Sequence, residues 1–279
     1  MSLLSSILLG LIQGLAEFLP ISSSGHLAIA EHFLGQAGVP ATPDFFDVLL
    51  HLGTLVAVFV AYWQDIRDMI VELIDGVRDL VRGTTPNPIP PARRMILLII
   101  VGTLPLFAVL PVKDLVEGLS NNIYFVAGAL IVTGFLLFAS DRVKKGRKTE
   151  RSARLLDVLL VGIAQAIATC PGISRSGTTI TAGCFVGFDR KFAVRFSFLM
   201  SIPAVLGANI LTLKDAIQEN SIIVSDIPVY LVGVAVAAVV GYVCIRLLKM
   251  IADKGKFGWF AYYCWAMGLI VLALTLVLK

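Results

Sequence analysis

Six stretches of this chain, near residues 46–63, 95–112, 122–140, 192–213, 228–248 and 257–278, are apolar over about the length a helix needs to cross the hydrocarbon core of a bilayer. In hydrocarbon, each backbone N–H and C=O must be satisfied inside the structure, so long continuous apolar runs of this kind become α-helices. The composition agrees, with 57% of residues hydrophobic and 15% charged and a mean hydropathy of +0.88, values outside the soluble globular range. The expected fold class is all-α: a polytopic membrane helix bundle, built as a single membrane domain over residues 1–279.

Two further segments, about 3–35 and 155–188, carry polar residues where the rest of the chain is hydrocarbon-like, and they are variants of one another. The stretch from Gly10 to His26 aligns without gaps on Gly162 to Thr178, an offset of 152 residues, so that Gln13 meets Gln165, and Ser22 and Ser24 meet Ser174 and Ser176. Each copy is a helical apolar run that stops at Pro20 or Pro171 and restarts after a Ser-x-Ser-Gly turn. Broken helices at matching places in two halves of a membrane protein mark a binding site at mid-membrane. Each segment is either a re-entrant hairpin of half-helices or a pair of tight spans; both return the chain to its starting side. The expected architecture is six spans plus two such hairpins in an inverted-topology repeat, with halves at about 1–140 and 150–279.

Lysine and arginine in short loops stay cytoplasmic. Arg67, Arg78, Arg82, Arg93 and Arg94 form one cluster, the run from Arg142 to Arg154 a second, Arg190, Lys191 and Arg195 a third, and Arg246 to Lys256 a fourth. The loops near 113–121 and 212–227 then face outward, and so does the amino terminus, which has no Lys or Arg before Arg67. Three spans separate the two polar segments, and an odd number inverts the second relative to the first. Their tips are expected to meet around one central site. Asp65 to Arg82 reads as an amphipathic helix on the membrane surface. The cysteines Cys170, Cys184, Cys244 and Cys264 lack metal or disulfide spacing and read as packing residues.

Arg175 is the one basic residue inside an apolar segment, where an unpaired arginine costs roughly 2.5–3.5 kcal/mol on insertion scales. An ion pair with Glu17 would compensate it, and so would an anionic ligand. Serine turns opening into helices present free N–H groups at the positive end of the helix dipole, which suits phosphate. Ser22, Ser23, Ser24, Gly25, Ser174, Ser176, Gly177 and Thr179 are the expected contacts, with Gln13 one turn before Glu17. Glu17 beside hydroxyls and phosphate can ligate Mg²⁺ or Ca²⁺, or act as a base toward a serine. His26 is an acid or base by type. Asp47 and His51, four apart on the next span, share a face and are left outside the expected site.

Gln13-Gly-Leu-Ala-Glu17 resembles the (E/Q)xxxE motif, and Pro171 to Thr179 resembles the PGxSRSxxT motif, of the bacterial undecaprenyl-diphosphate phosphatases of the bacitracin-resistance type; Pro20 to His26 matches as well. The resemblance spans essentially the whole chain. It implies a multi-pass enzyme of the bacterial cytoplasmic (inner) membrane that removes the terminal phosphate of a C55 isoprenyl diphosphate, depends on a divalent cation, and opens its site to the outer face. It places the essential glutamate on Glu17, the loop serines on Ser22 and Ser23, the histidine on His26, and the arginine on Arg175 with Ser174 and Thr179 beside it. The expected catalytic set is Glu17, Ser23, His26 and Arg175, with Ser23 the nucleophile and Glu17 or His26 its activator. Direct attack by water is the competing route. Lipid bilayer and a polyprenyl diphosphate are the expected partners, with a homodimer as one candidate assembly and no nucleic acid. The rival class is a secondary transporter or a flippase of a lipid phosphate, because broken helices at mid-membrane are its usual architecture.

Overall fold

The computed structural model describes residues 1–36, 43–84, 86–218, 224–254 and 256–277. Among the described residues there are twelve α-helices: α1 (Leu3–Phe18), α2 (Ser23–Gln36), α3 (Asp44–Ala61), α4 (Trp63–Arg82), α5 (Pro91–Thr103), α6 (Lys113–Gly118), α7 (Ile123–Ser140), α8 (Leu155–Ile167), α9 (Arg175–Phe185), α10 (Arg190–Gln218), α11 (Ile227–Lys254) and α12 (Gly258–Val277). No strand forms among them, so the protein is a polytopic helical membrane bundle.

Five helical stretches are long and apolar enough to cross a membrane: Pro91–Asn121, which joins α5 to α6 through 3-10 turns, then α7, α10, α11 from Ile227 to Ala252, and α12. The sixth expected span is α3, which passes the same test together with α4 and is bent from it by 83°. Helix α4 leaves the bundle with Ile70, Leu73, Ile74, Val77, Leu80 and Val81 exposed along one face. That apolar stripe suits lipid contact in the plane of the interface. Its charged face ties back to α5, where Arg93 reaches Glu72 at 3.1 Å and Asp79 at 2.8 Å, and Gly83 ends the helix in the left-handed conformation at φ 66°.

The two polar segments are short. Helix α1 has 16 residues and α8 has 13, roughly 24 and 20 Å at 1.5 Å per residue, less than the roughly 30 Å of a hydrocarbon core. Each folds back on the helix that follows it, α1 on α2 and α8 on α9. Helix α1 starts beside Asp226, whose carboxylate binds the amino terminus at 2.7 Å, and α2 packs back on the 3-10 turn at Leu119–Asn121. Helix α8 starts at Arg154, whose N–H donates to Asp157 at 2.9 Å, next to Ala153, whose carbonyl accepts from Arg94 on α5. Helix α9 ends near Gly187, whose carbonyl accepts the N–H groups of Arg147 and Lys148. Each segment thus returns to the end of the bundle where it began, which distinguishes a re-entrant hairpin from two complete spans.

Helix α1 packs on α11, α11 on α3, α3 on α10, α8 on α5, and α7 on α12. Small residues allow this. A Cβ on Gly10 would sit 2.4 Å from the carbonyl oxygen of Gly233 on α11, so two backbones touch without side chains between them, the usual means of packing helices in lipid. Of the cysteines, Cys184, Cys244 and Cys264 are buried packing residues and Cys170 is half-buried; all four are free thiols.

Charged contacts gather at the two ends. At one end Met1 binds Asp226 and Lys113 binds Asp215 at 2.8 Å. At the other, Arg195 pairs with Asp65, Lys148 with Asp157 at 2.8 Å, and Asp141 accepts the N–H groups of Phe257 and Gly258. The loop expected to face outward near 212–227 falls partly on residues outside the described ones, as does Lys279.

Candidate active site

The two hairpin tips pack directly against one another. A Cβ on Gly25 would stand 2.9 Å from the Cα of Gly172, and one on Gly177 would stand 3.2 Å from the Cβ of Pro20. Gly172 itself has φ 89°, a conformation open to glycine without strain. Thr133 on α7 fixes the second tip, donating to the Gly172 carbonyl and accepting from the Ser174 N–H, both at 3.1 Å. Each restart has a serine cap: Ser22 Oγ accepts from the Gly25 N–H at 3.2 Å and Ser174 Oγ from the Gly177 N–H at 3.1 Å. Ser22 holds φ 74°, an uncommon value for a side-chain-bearing residue, and such strain concentrates at functional sites.

This crossing brings together residues 158 apart. Arg175 Nη2 donates to Glu17 Oε1. The other carboxylate oxygen accepts from Ser23 Oγ at 2.6 Å and from Gln13 Nε2 at 3.2 Å. Glu17 is 5% exposed and Arg175 26%, so the carboxylate is sealed in while the guanidinium looks outward.

What it faces is a cavity of about 570 Å³ lined by Glu17, Ser22, Ser23, Ser24, Ser174 and Arg175 at its polar end, a volume suited to a small-molecule or headgroup ligand. Proline-distorted spans make its walls. Pro105 and Pro111 turn the continuation of α5 into 3-10 helix at Leu104–Ala108 and Leu110–Val112, and Pro203 lies inside α10; proline removes a backbone donor and opens the regular helix. Leu106, Phe107, Leu110, Val205 and Leu211 give an apolar wall. At the mouth stand Lys113 and Glu117, 3.7 Å apart, with Lys113 also held by Asp215. The mouth is therefore at the end of the bundle that carries the amino terminus.

Several expected residues occupy other places. His26 is not in the cavity lining: Nδ1 donates to the Ser22 carbonyl at 2.8 Å, so Nε2 is the acceptor toward the Tyr263 hydroxyl, also at 2.8 Å. It braces the first tip against α12, and the side chain that accepts from Ser23 is Glu17. Gln13 is fully buried and touches Glu17 without reaching the cavity. Ser176 lies 3.4 Å from Ser174 Oγ, and Thr179 bonds Ser197 on α10 at 2.6 Å; with Gly25 and Gly177 they build the tips and do not line the cavity.

Other residues join the lining. Asp47 and His51, left out on sequence, are both in it, with the His51 ring 3.0 Å from the Asp47 carbonyl. Gln165 and Asn209 also line it. The repeat alignment pairs Gln165 with Gln13, and Asn209 is a lone amide in an apolar run, so both carried a signal in the sequence.

Glu17 is the carboxylate at the polar end, and both its oxygens are engaged. Among the described residues no group of three or more His, Cys, Asp or Glu lies close enough to share a metal ion. Glu17 and Asp47 are both carboxylate residues of the lining, and a Mg²⁺ or Ca²⁺ there would take its remaining ligands from substrate or water.

The model of the family "Bacitracin resistance protein BacA" matches residues 6–270. The chain is 39% identical over 285 residues to "Undecaprenyl-diphosphatase" from Methanosphaera stadtmanae, covering all of both chains. It is 41% identical over 276 residues to the protein of that name from Syntrophotalea carbinolica, and 39% over 281 residues to that from Alkaliphilus metalliredigens, in each case over 99% of this chain and all of the relative. By sequence along nearly its full length, and with both family motifs at the crossing of its hairpin tips, the chain belongs to the bacitracin resistance protein BacA family.

Proposed function

We infer that this protein is an integral membrane phosphatase that hydrolyses undecaprenyl diphosphate to undecaprenyl phosphate and inorganic phosphate, recycling the lipid carrier of cell-wall synthesis. The observation that carries the mechanism is the Ser23 hydroxyl bonded at 2.6 Å to a buried Glu17 that Arg175 also binds. Serine, base and cation stand at the closed end of a cavity whose wall is apolar, as a substrate with a charged head and a hydrocarbon tail requires.

The diphosphate enters with its terminal phosphorus against Ser23. Glu17 takes the Ser23 proton as Oγ attacks, the bond from phosphorus to the bridging oxygen breaks, and undecaprenyl phosphate leaves with that electron pair. Water then hydrolyses the phosphoserine. Arg175 and the first-turn amides of α2 and α9 stabilise charge on the transferred phosphoryl, where positioning and electrostatics supply most of the rate. Water attacking directly, with Ser23 as its guide, is the alternative route at the same site. A divalent cation, Mg²⁺ or Ca²⁺, bound chiefly through the substrate's own oxygens would supply charge neutralisation at the phosphates, leaving Glu17 and Ser23 as base and nucleophile.

The halves are read as an inverted-topology repeat: α1 on α11 corresponds to α8 on α5, while α3 with α10 and α7 with α12 pair across the pseudo-axis. The membrane is the bacterial cytoplasmic one and the cavity opens outward, because the mouth is at the end opposite the Arg-rich loops. Undecaprenyl diphosphate in detergent, where no second compartment exists, tests the reading. Phosphate release by wild type and a phosphoserine trapped at Ser23 on acid quench are expected. No release from wild type would overturn the activity; full turnover in Ser23→Ala would assign attack to water.

A further inference from the structure

The two hairpins treat the same glutamine differently. In the first, Gln13 donates to Glu17 at 3.2 Å, and Glu17 accepts from Ser23. In the second, the aligned positions are Gln165, Thr169 and Arg175. The carboxylate is missing, and the Thr169 hydroxyl folds back on the Ala166 carbonyl at 2.7 Å. Gln165 is 1% exposed, and neither Nε2 nor Oε1 has a hydrogen-bond partner among the described residues. Gln165 is nonetheless one of the residues around the cavity, as is Arg175. A buried amide without a partner is costly, and such groups in native proteins call for an explanation.

An amide without a partner and a guanidinium with N–H donors beyond the one Glu17 engages, both from residues lining one cavity, are complementary to an oxyanion. We propose that Gln165 is a substrate-binding residue whose Nε2–H donates to a phosphate oxygen. That phosphate stands between Gln165 and Arg175 in the role that Glu17 fills between Gln13 and Ser23. The second hairpin is thus completed by ligand where the first is completed by its own side chain. This rests on the phosphatase reading above and adds a contact to it; Gln165 selects for the anionic head, leaving the tail to the apolar wall.

The test is steady-state kinetics of wild type, Gln165→Leu and Gln165→Met in detergent with undecaprenyl diphosphate, together with product inhibition and thermal melting. Loss of a hydrogen bond to a charged group should raise KM about tenfold or more, while melting of the unliganded protein stays level or rises, since an orphaned amide gives way to an apolar group. Inhibition by inorganic phosphate weakened in parallel places Gln165 on the terminal phosphate. Inhibition by undecaprenyl phosphate weakened instead places it on the tail-side phosphate. Unchanged KM and unchanged inhibition by both products would overturn the proposal. So would lowered melting in both variants, which would mean the amide serves the fold. Wild-type turnover in the same assay separates these results from failure of the phosphatase reading, in which no variant, nor wild type, releases phosphate.

Discussion

Glu17 and Arg175 are each other's counter-ions within a low-dielectric site, so removing one strands the other. Breaking a buried pair costs about 3–5 kcal/mol, whereas replacing both partners by well-packed neutral groups is often neutral. Arg175→Ala should therefore lose both turnover and thermal stability, and the double variant Glu17→Gln with Arg175→Met should regain the stability without the turnover. Melting curves beside phosphate release separate these two roles; recovered turnover in the double variant would remove the arginine from catalysis. The activity loss in Arg175→Ala is expected to be on the order of a thousandfold, as for other arginines that stabilise a transferred phosphoryl group. Because Glu17 accepts from Ser23, Gln13 and Arg175, its Gln variant should lower kcat steeply while the Mg²⁺ or Ca²⁺ concentration giving half-maximal rate stays the same. A large shift in that concentration would mean that Glu17 holds the cation.

At the level of elements, the proposed mechanism depends on two half-helices arriving at one point from opposite ends of the bundle. Their approach is set by backbone contact at Gly25 and Gly172, where even a methyl group would come within 2.9 Å. Gly25→Ala should push the tips apart and misalign Ser23 and Glu17 against Arg175. Displacements of about 1 Å at a reacting centre can cost about a hundredfold in rate, so a loss of at least tenfold is expected, with a helical circular-dichroism spectrum like that of wild type. Wild-type turnover in Gly25→Ala would mean that the tips have slack. The repeat and the proline breaks were legible in the sequence because they are local: Pro20 and Pro171 follow shortly after the ends of α1 and α8, where a proline withholds the backbone donor a continuing helix needs. The direction of His26 was not, because its ring is set by Tyr263, 237 residues further along.

For the molecule as a whole, the charged contacts fall at two ends and the cavity mouth belongs to the end with Lys113 and the amino terminus. An impermeant thiol reagent added to intact cells should label Asn121→Cys but reach Arg151→Cys only after permeabilisation, both residues being exposed. Three of the native cysteines are buried and the fourth half-buried, which keeps the background low. The reverse pattern would turn the cavity to the cytoplasm and contradict the lysine and arginine distribution.

Sequence by itself determined the solvent, the number of spans and the two polar tips, because a bilayer imposes length and apolarity on every segment that crosses it and tolerates a buried arginine only at a site. It also carried the kinship of Gln13 with Gln165. Tertiary structure alone decided which polar residues face the cavity and which build its frame. Ser176, Thr179 and His26 turn to Ser174, Ser197 and Tyr263, while Gln165, Asp47 and His51 belong to the cavity lining. Residue type fixes what a side chain can bond, but which partner it meets depends on helices distant in the chain whose packing leaves room on one side and not the other.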